Sequence, residues 1–272
     1  MLHFVIDSYG CDSSRTNNLM DIYEVINKLV DTYKLEPIMP PQLVPYYYCL
    51  EPQDVGISAF VLLKGGHFTI HTFPEWGCYF ADLLCESRFV SKENITDFMK
   101  REFPCSSLFV KLIYREDFAE NDMGNYEKAD FGPLYMISSD LKEDDEAPNL
   151  EKLMNILDKL PKNVGMHPIT RPVVLYDKID NPEFLSGIVL IAESHIAIHY
   201  NIKERKILMD IFSCKTVNES KYEKVMGEIF NGNFRDVLIR RGRKNEQRIE
   251  TQQNKFVSHK FWQDVITDER KK

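Results

Sequence analysis

The 272-residue sequence predicts an α+β protein: an αββα sandwich of two stacked antiparallel sheets flanked by helices and built from two tandem homologous repeats. Three observations carry this. One segment of the chain is written twice, each copy holds short alternating or apolar runs of strand type, and helical patterns flank both copies at matching places. The first segment, Val55 to Cys85, reads VGISAFVLLKGGHFTIHTFPEWGCYFADLLC. The second, Phe184 to Cys214, reads FLSGIVLIAESHIAIHYNIKERKILMDIFSC. Setting Gly66-His67 on Ser194-His195 gives an offset of 128 (195 − 67), at which Ser58 meets Ser186, His67 meets His195, Ile70 meets Ile198, His71 meets His199 and Asp82 meets Asp210. Five coincidences at one offset, with matched apolar flanks, mark a duplication.

In chain order, the first element of each copy to show a clear period is a helix. Leu19, Ile22, Tyr23, Ile26, Leu29 and Val30 repeat at helical spacing in the first copy, and Leu150, Leu153, Met154, Leu157 and Leu160 in the second. Phe60-Val61-Leu62-Leu63 and Ile188-Val189-Leu190-Ile191 then read as buried strands, with Phe68 to His71 and Ile196 to His199 as alternating ones. In a strand, His67, Thr69 and His71 share one face, as do His195, Ala197 and His199. Second helices follow at Ile95, Phe98, Met99 and at Tyr222, Val225, Met226, Ile229, and apolar strands close the copies at Ser107 to Tyr114 and Arg235 to Ile239. Each copy is therefore expected to run strand–helix–strand–strand–strand–helix–strand. One such sheet has helices on one face only, and two stacked sheets cover each other's bare faces. The expected divisions are residues 1–125 for the first repeat, 126–240 for the second and 241–272 for a charged tail, with the linker beginning at Arg115.

Composition narrows the functional classes. Hydrophobic residues make up 43% and charged residues 28%, as in soluble globular proteins, and the net charge of −8 does not favour nucleic acid. The six cysteines form no CxxC pair, which fits reduced thiols and a cytoplasmic location. The N-terminus reads as no signal peptide and no apolar run is long enough to span a membrane.

Glu193-Ser194-His195 falls between two strands, and a serine beside a histidine is compatible with nucleophilic catalysis. No GxSxG elbow surrounds it, so a hydrolase is weakly supported. The i,i+4 histidine pairs would suggest zinc on a helix, but they lie on strands and no HExxH occurs, so no metal site is expected. A structural role is the simpler reading of each strand histidine, and Cys214 alone reads as a small buried hydrophobe.

A resemblance changes these readings. GGHFTIHTFPEWG is similar to the ESHxxIHTxPEYG motif of bacterial and archaeal S-adenosylmethionine decarboxylases, and AESHIAIH of the second copy resembles the start of that motif. The likeness covers roughly residues 3–115 and 132–240. It implies a self-processing enzyme in which the Glu193–Ser194 bond cleaves itself and Ser194 becomes a pyruvoyl group. That ketone would take the substrate amine as a Schiff base and act as electron sink while CO₂ leaves. A cysteine twenty residues after the serine, here Cys214, would return the proton. Prokaryotic members are homodimers, so this chain resembles such a dimer fused into one pseudo-dimer, with further dimerisation left open.

Each copy has lost what the other keeps. The first has Gly65-Gly66 in place of Glu-Ser, and Glu86 in the proton-donor slot with Cys85 one position early, yet it retains Ser58, His71 and Glu75. The second retains Glu193, Ser194, His195 and Cys214 but has Tyr200-Asn201-Ile202-Lys203 in place of Thr-x-Pro-Glu. One composite site follows. By resemblance, His71 and Ser58 assist processing, Glu75 binds substrate ribose hydroxyls, and His195 and His199 are structural. The expected function is S-adenosylmethionine decarboxylation, supplying the aminopropyl donor for spermidine. Pyruvoyl-dependent ornithine or arginine decarboxylation and a non-catalytic regulatory partner are the alternatives.

Overall fold

The computed structural model describes residues 1–46, 55–116, 132–192, 194–214 and 217–242. Glu193, most of the expected linker and most of the tail lie outside the described residues. The first repeat comprises β1 (Leu2–Cys11), α1 (Ser13–Thr16), α2 (Leu19–Tyr33), β2 (Gln42–Tyr46), β3 (Gly56–Leu63), β4 (Gly66–Phe73), β5 (Cys78–Cys85), α3 (Lys92–Glu102) and β6 (Cys105–Tyr114). The second comprises β7 (Gly132–Asp140), α4 (Leu150–Asn163), β8 (Val173–Tyr176), β9 (Phe184–Ile191), β10 (Ser194–Asn201), β11 (Lys206–Ser213), α5 (Glu219–Ile229) and β12 (Arg235–Arg241).

The two sheets have one topology. The first is ordered β2-β3-β4-β5-β1-β6, and the second, read in the equivalent direction, β8-β9-β10-β11-β7-β12. All the pairings are antiparallel. The pairings Ser58↔His71 and Ser186↔His199 occupy the same register, as the offset of 128 requires. Each sheet has one strand more than the sequence reading expected. β2 carries Pro45 and β8 follows Pro172, and both lie at sheet edges, where a missing N–H or a short run is tolerated.

Helices cover the outer faces. Ile22, Val25, Ile26, Leu29 and Tyr33 of α2 and Ile95, Phe98 and Met99 of α3 pack on Phe4, Ile6, Phe68, Ile70 and Leu83 of the first sheet. Leu153, Leu157 and Leu160 of α4 and Tyr222, Val225 and Met226 of α5 do the same on the second. The buried stripes are narrower than the apolar patterns: Leu19, Tyr23, Leu150 and Met154 are exposed, because a helix on a sheet buries only a sector of its surface. Side-chain caps start these helices. Asn18 accepts from Met20 and Asp21, Ser91 forms a reciprocal capping box with Asn94, and Asn149 and Asn218 accept from Lys152 and Lys221; each such cap stabilises by about 1 kcal/mol.

The sheets close on each other through two apolar clusters. One joins Phe60 and Leu62 to Ile188, Leu190 and Ala197. The other joins Phe73, Phe80 and Ile113 to Leu134, Met136, Phe212 and Ile239. Between these inner faces lies a layer of buried polar groups.

Candidate active site

The central strands β4 and β10 face each other across the sandwich, each presenting two histidines inward as the alternation demands. His67 Nδ1 lies 2.8 Å from His199 Nε2, and His71 Nε2 lies 2.8 Å from His195 Nδ1. Each pair is extended by a serine on the neighbouring strand: Ser58 Oγ at 2.8 Å from His71 Nδ1, and Ser186 Oγ at 2.9 Å from His199 Nδ1. The two chains, Ser58–His71–His195 and Ser186–His199–His67, are related by the pseudo-two-fold axis atom for atom. The stacked imidazoles are 5.0 and 5.1 Å apart.

Burial sets their charge. Desolvation lowers the pKa of His67 and of His71 to about 3, and pushes His195 and His199 well below the ordinary histidine value; neighbouring histidines add to the effect at His67, His195 and His199, and Arg241 adds to it at His71. All four are neutral at physiological pH, so each hydrogen bond has one donor and one lone pair. In either tautomeric arrangement Ser58, His71 and His195 form a continuous proton-transfer chain.

Ser194 lies at the start of β10, beside His195 and opposite Ser213, the residue before Cys214. The two-residue link Ala192-Glu193 joins it to Ile191 of β9. Two features set Ser194 apart. Its φ is +150°, a backbone region that suits glycine and costs other residues about 1–3 kcal/mol. Its hydroxyl is buried with no hydrogen-bond partner among the described residues, which costs a further ~1–3 kcal/mol. Cys214, directly after β11, is a half-buried reduced thiol. Glu75 sits on the 3₁₀ turn Pro74–Trp76 that follows β4, half-buried, and Gly77 in the left-handed region at φ +57° closes that turn. Thus Ser58 and His71 are bonded directly, His71 reaches the residue next to Ser194, and strand register brings Ser194 and Cys214 to one end of β10 and β11. Trp76 packs against the cluster of Phe73 and Phe80, an aromatic neighbour of Glu75 that the sequence reading did not place.

The mirrored place in the first repeat is a small cavity of about 90 Å³ lined by Gly65, Glu86, Phe184, His199 and Asn201 among others. A Cβ on Gly66 would stand 2.0 Å from the Leu84 carbonyl oxygen, and one on Gly65, at φ +69°, would stand 2.6 Å from the Phe184 ring. This backbone has closed around glycine. Cys85 is buried at the end of β5 and Glu86 takes the position equivalent to Cys214.

Two buried arginines were misread from the sequence. Arg115, expected to begin the linker, and Arg241, expected in the charged tail, are both 0% exposed. They are structural equivalents at the ends of β6 and β12, and each reaches into the other repeat. Arg115 pairs with Asp210 and donates to the Ile137 and Met209 carbonyls. Arg241 donates to Asp82 at 2.7 Å, to Asp7 at 2.8 Å, and to the Ile6 and Ala81 carbonyls. Burial pushes the Asp82 carboxyl up, but Arg241 and His3 outweigh it and hold the group well below the carboxylate range. Asp7, where burial wins over Arg241, is shifted upward. The Arg241 guanidinium also stacks on Phe212 at 4.4 Å, and Phe212 is 5.8 Å from His71. The signal available in the sequence was an arginine just past the last strand of both copies, matched to the repeated Asp82 and Asp210.

Fold and site together define a fused pseudo-dimer of two αβ repeats with two buried serine–histidine–histidine chains between the sheets. The family model for S-adenosylmethionine decarboxylase matches residues 2–116 and 137–240, once per repeat. The chain belongs to the S-adenosylmethionine decarboxylase family, a family of carboxy-lyases. It is 28% identical over 116 residues to an S-adenosylmethionine decarboxylase proenzyme of Thermoplasma volcanium, covering 43% of this chain and 84% of the relative. A proenzyme of the same description from Clostridium botulinum is 26% identical over 113 residues, covering 42% and 91%. The crystal structure of the adenosylmethionine decarboxylase from Aquifex aeolicus is similar at 24% identity and a TM-score of 0.35, covering 43% of this chain and 95% of that one. Among the described residues, no helix is long and apolar enough to cross a membrane.

Proposed function

We propose that the chain is a self-processing, pyruvoyl-dependent S-adenosylmethionine decarboxylase, cut between Glu193 and Ser194, with one composite site drawn from both repeats. The observation that carries this reading is the hydrogen-bonded chain Ser58–His71–His195, which ends beside the strained, unpartnered Ser194. The lone pairs of an unpartnered hydroxyl are available to the preceding carbonyl carbon. In the acyl shift, the Ser194 Oγ–C bond forms, the C–N bond breaks, and the hydroxyl proton passes to the released nitrogen. In the elimination that follows, His71 accepts the Ser194 Cα proton as the Cβ–O bond breaks and Glu193 leaves as a carboxylate; the dehydroalanine that remains tautomerises to an imine, which water hydrolyses to the ketone with release of ammonia. Ser58 at Nδ1 and His195 at Nε2 hold the His71 ring. A pyruvoyl group formed there supplies an electron sink for decarboxylation of a substrate bearing an α-amine. Cys214 is assigned as proton donor to the decarboxylated carbon, and Glu75 as acceptor for substrate hydroxyls beside Trp76.

Intact mass spectrometry of the purified chain tests this. The expected result is two fragments, residues 1–193 and 194–272, the second with a blocked N-terminus. A single uncleaved chain would overturn the enzymatic reading and leave a regulatory partner. With cleavage established, release of labelled CO₂ from adenosylmethionine, and none from ornithine or arginine, is the expected substrate result.

A further inference from the structure

Cys11 ends β1 and Cys105 begins β6, and the antiparallel register sets them directly opposite each other. Opposed Cα atoms in such pairs lie about 4.5–5.5 Å apart, inside the roughly 4.4–6.8 Å that a disulfide spans. Both side chains lie on the helix-facing side of the sheet, Cys11 within the core beneath α2 and α3 and Cys105 packed on its rim. Cys11 Sγ is 3.2 Å from Ser8 Oγ, and Cys105 Sγ is 3.2 Å from the Ser107 carbonyl oxygen. β6 is the edge strand of its sheet, so Cys105 is reachable from solvent while Cys11 is buried.

The two thiols are unlike in acidity. A hydrogen bond from Cys11 lowers the Cys105 pKa, and nearby Lys100 helps. The same contact, with burial and neighbouring Cys78, pushes Cys11 up. Thiolate therefore collects on the accessible member.

We propose that Cys11 and Cys105 are a redox-modification site, forming a reversible cross-strand disulfide with hydrogen peroxide, Cys105 being attacked first and Cys11 resolving. The Cys105 thiolate takes one peroxide oxygen, the O–O bond breaks, and hydroxide leaves as water after protonation. The resulting sulfenic acid loses its oxygen as a second water when Cys11 sulfur attacks it. Two thiols and one peroxide thus give one disulfide and two waters, and an external thiol reverses the change. The bond ties the edge strand to its neighbour beside a backbone contact to the Glu75 turn, since Cys11 N–H donates to Gly77 O at 2.8 Å. This goes beyond the proposed decarboxylase reading and does not depend on it.

The test is peroxide titration of the full chain, followed by alkylation and non-reducing peptide mapping. A Cys11–Cys105 linked peptide, reduced by dithiothreitol and formed at lower peroxide than any other cysteine oxidation, is the expected result. In Cys11→Ser, Cys105 should become trappable by dimedone. The proposal is overturned if Cys105 stays alkylatable at doses that oxidise other cysteines, or if Cys11 pairs with Cys78 instead. The wild-type map decides even if the variant misfolds.

Discussion

Ser194 and Gly66 occupy equivalent places in two hairpins, yet the serine carries the positive φ and an unpartnered hydroxyl while the glycine is locked by its neighbours. Removing the Ser194 hydroxyl deletes no hydrogen bond seen among the described residues. Ser194→Ala is therefore expected to keep its melting temperature within about 2 °C of an uncleaved control while remaining one chain by intact mass. Cys214→Ala should still cleave but lose on the order of 10²-fold or more in turnover, in line with general-acid contributions; full activity in a CO₂-release assay would remove Cys214 from that role. The histidines predict a pH effect of definite sign. With folded-state values near 3 for His67 and His71, against about 6.5 in the unfolded chain, the unfolded state binds more protons between those values. Their stabilisation is thus complete above about pH 6.5 and is lost as pH falls toward 3, each histidine contributing a slope of about 1.4 kcal/mol per pH unit inside that window. Urea midpoints measured from pH 7.5 to 5 should fall less steeply in His67→Gln than in the wild type. Equal slopes would contradict a neutral, buried His67.

The hairpins β3–β4 and β9–β10 show how far the sequence could be read. Their strands, register and inward histidines followed from alternation and from the offset of 128, because a period of two leaves one choice of face once a side is buried. The edge strands β2 and β8 were not legible: a Pro45 within one and a four-residue length in the other resemble loop, and only pairing with β3 and β9 makes them strands. The first hairpin turns at Lys64-Gly65, and Gly66 opens β4. A side chain at Gly66 meets a backbone oxygen, which no rotamer relieves. The double substitution Gly65→Glu with Gly66→Ser, although it restores the residue types of the second hairpin, is expected to produce no second cleavage. It should also lower stability by about 1–3 kcal/mol through overpacking against Phe184 and strain at φ +69°. Three fragments by mass spectrometry would show that the first hairpin retains a processing geometry.

At the scale of the whole molecule, the repeats are joined by apolar packing, by the two histidine pairs and by an exchange of arginines. Sequence alone exposed Asp82 and Asp210 as a matched pair with no role, because their partners lie 159 and 95 residues away and stand where a strand runs out into charged sequence. Both guanidiniums are fully buried, and each replaces water with a carboxylate and two main-chain carbonyls from the opposite sheet. The two are not equal. Arg241 answers Asp7 and Asp82 together, whereas Arg115 answers Asp210 and shares His3, so removing Arg241 strands more negative charge. Breaking a buried ion pair by deleting one partner costs about 3–5 kcal/mol, while removing both partners costs far less. Arg241→Met should accordingly destabilise the chain by about that amount in urea unfolding. Adding Asp82→Asn and Asp7→Asn should recover a large part of it, with the coupling read from the complete mutant cycle. Additive losses across that cycle would mean that Arg241 and its two carboxylates contribute independently of one another. A positive coupling would show that fusion of the two copies preserved an interface in which each half finishes the electrostatics of the other, close enough to Phe212 and His71 to hold the serine-bearing site in place.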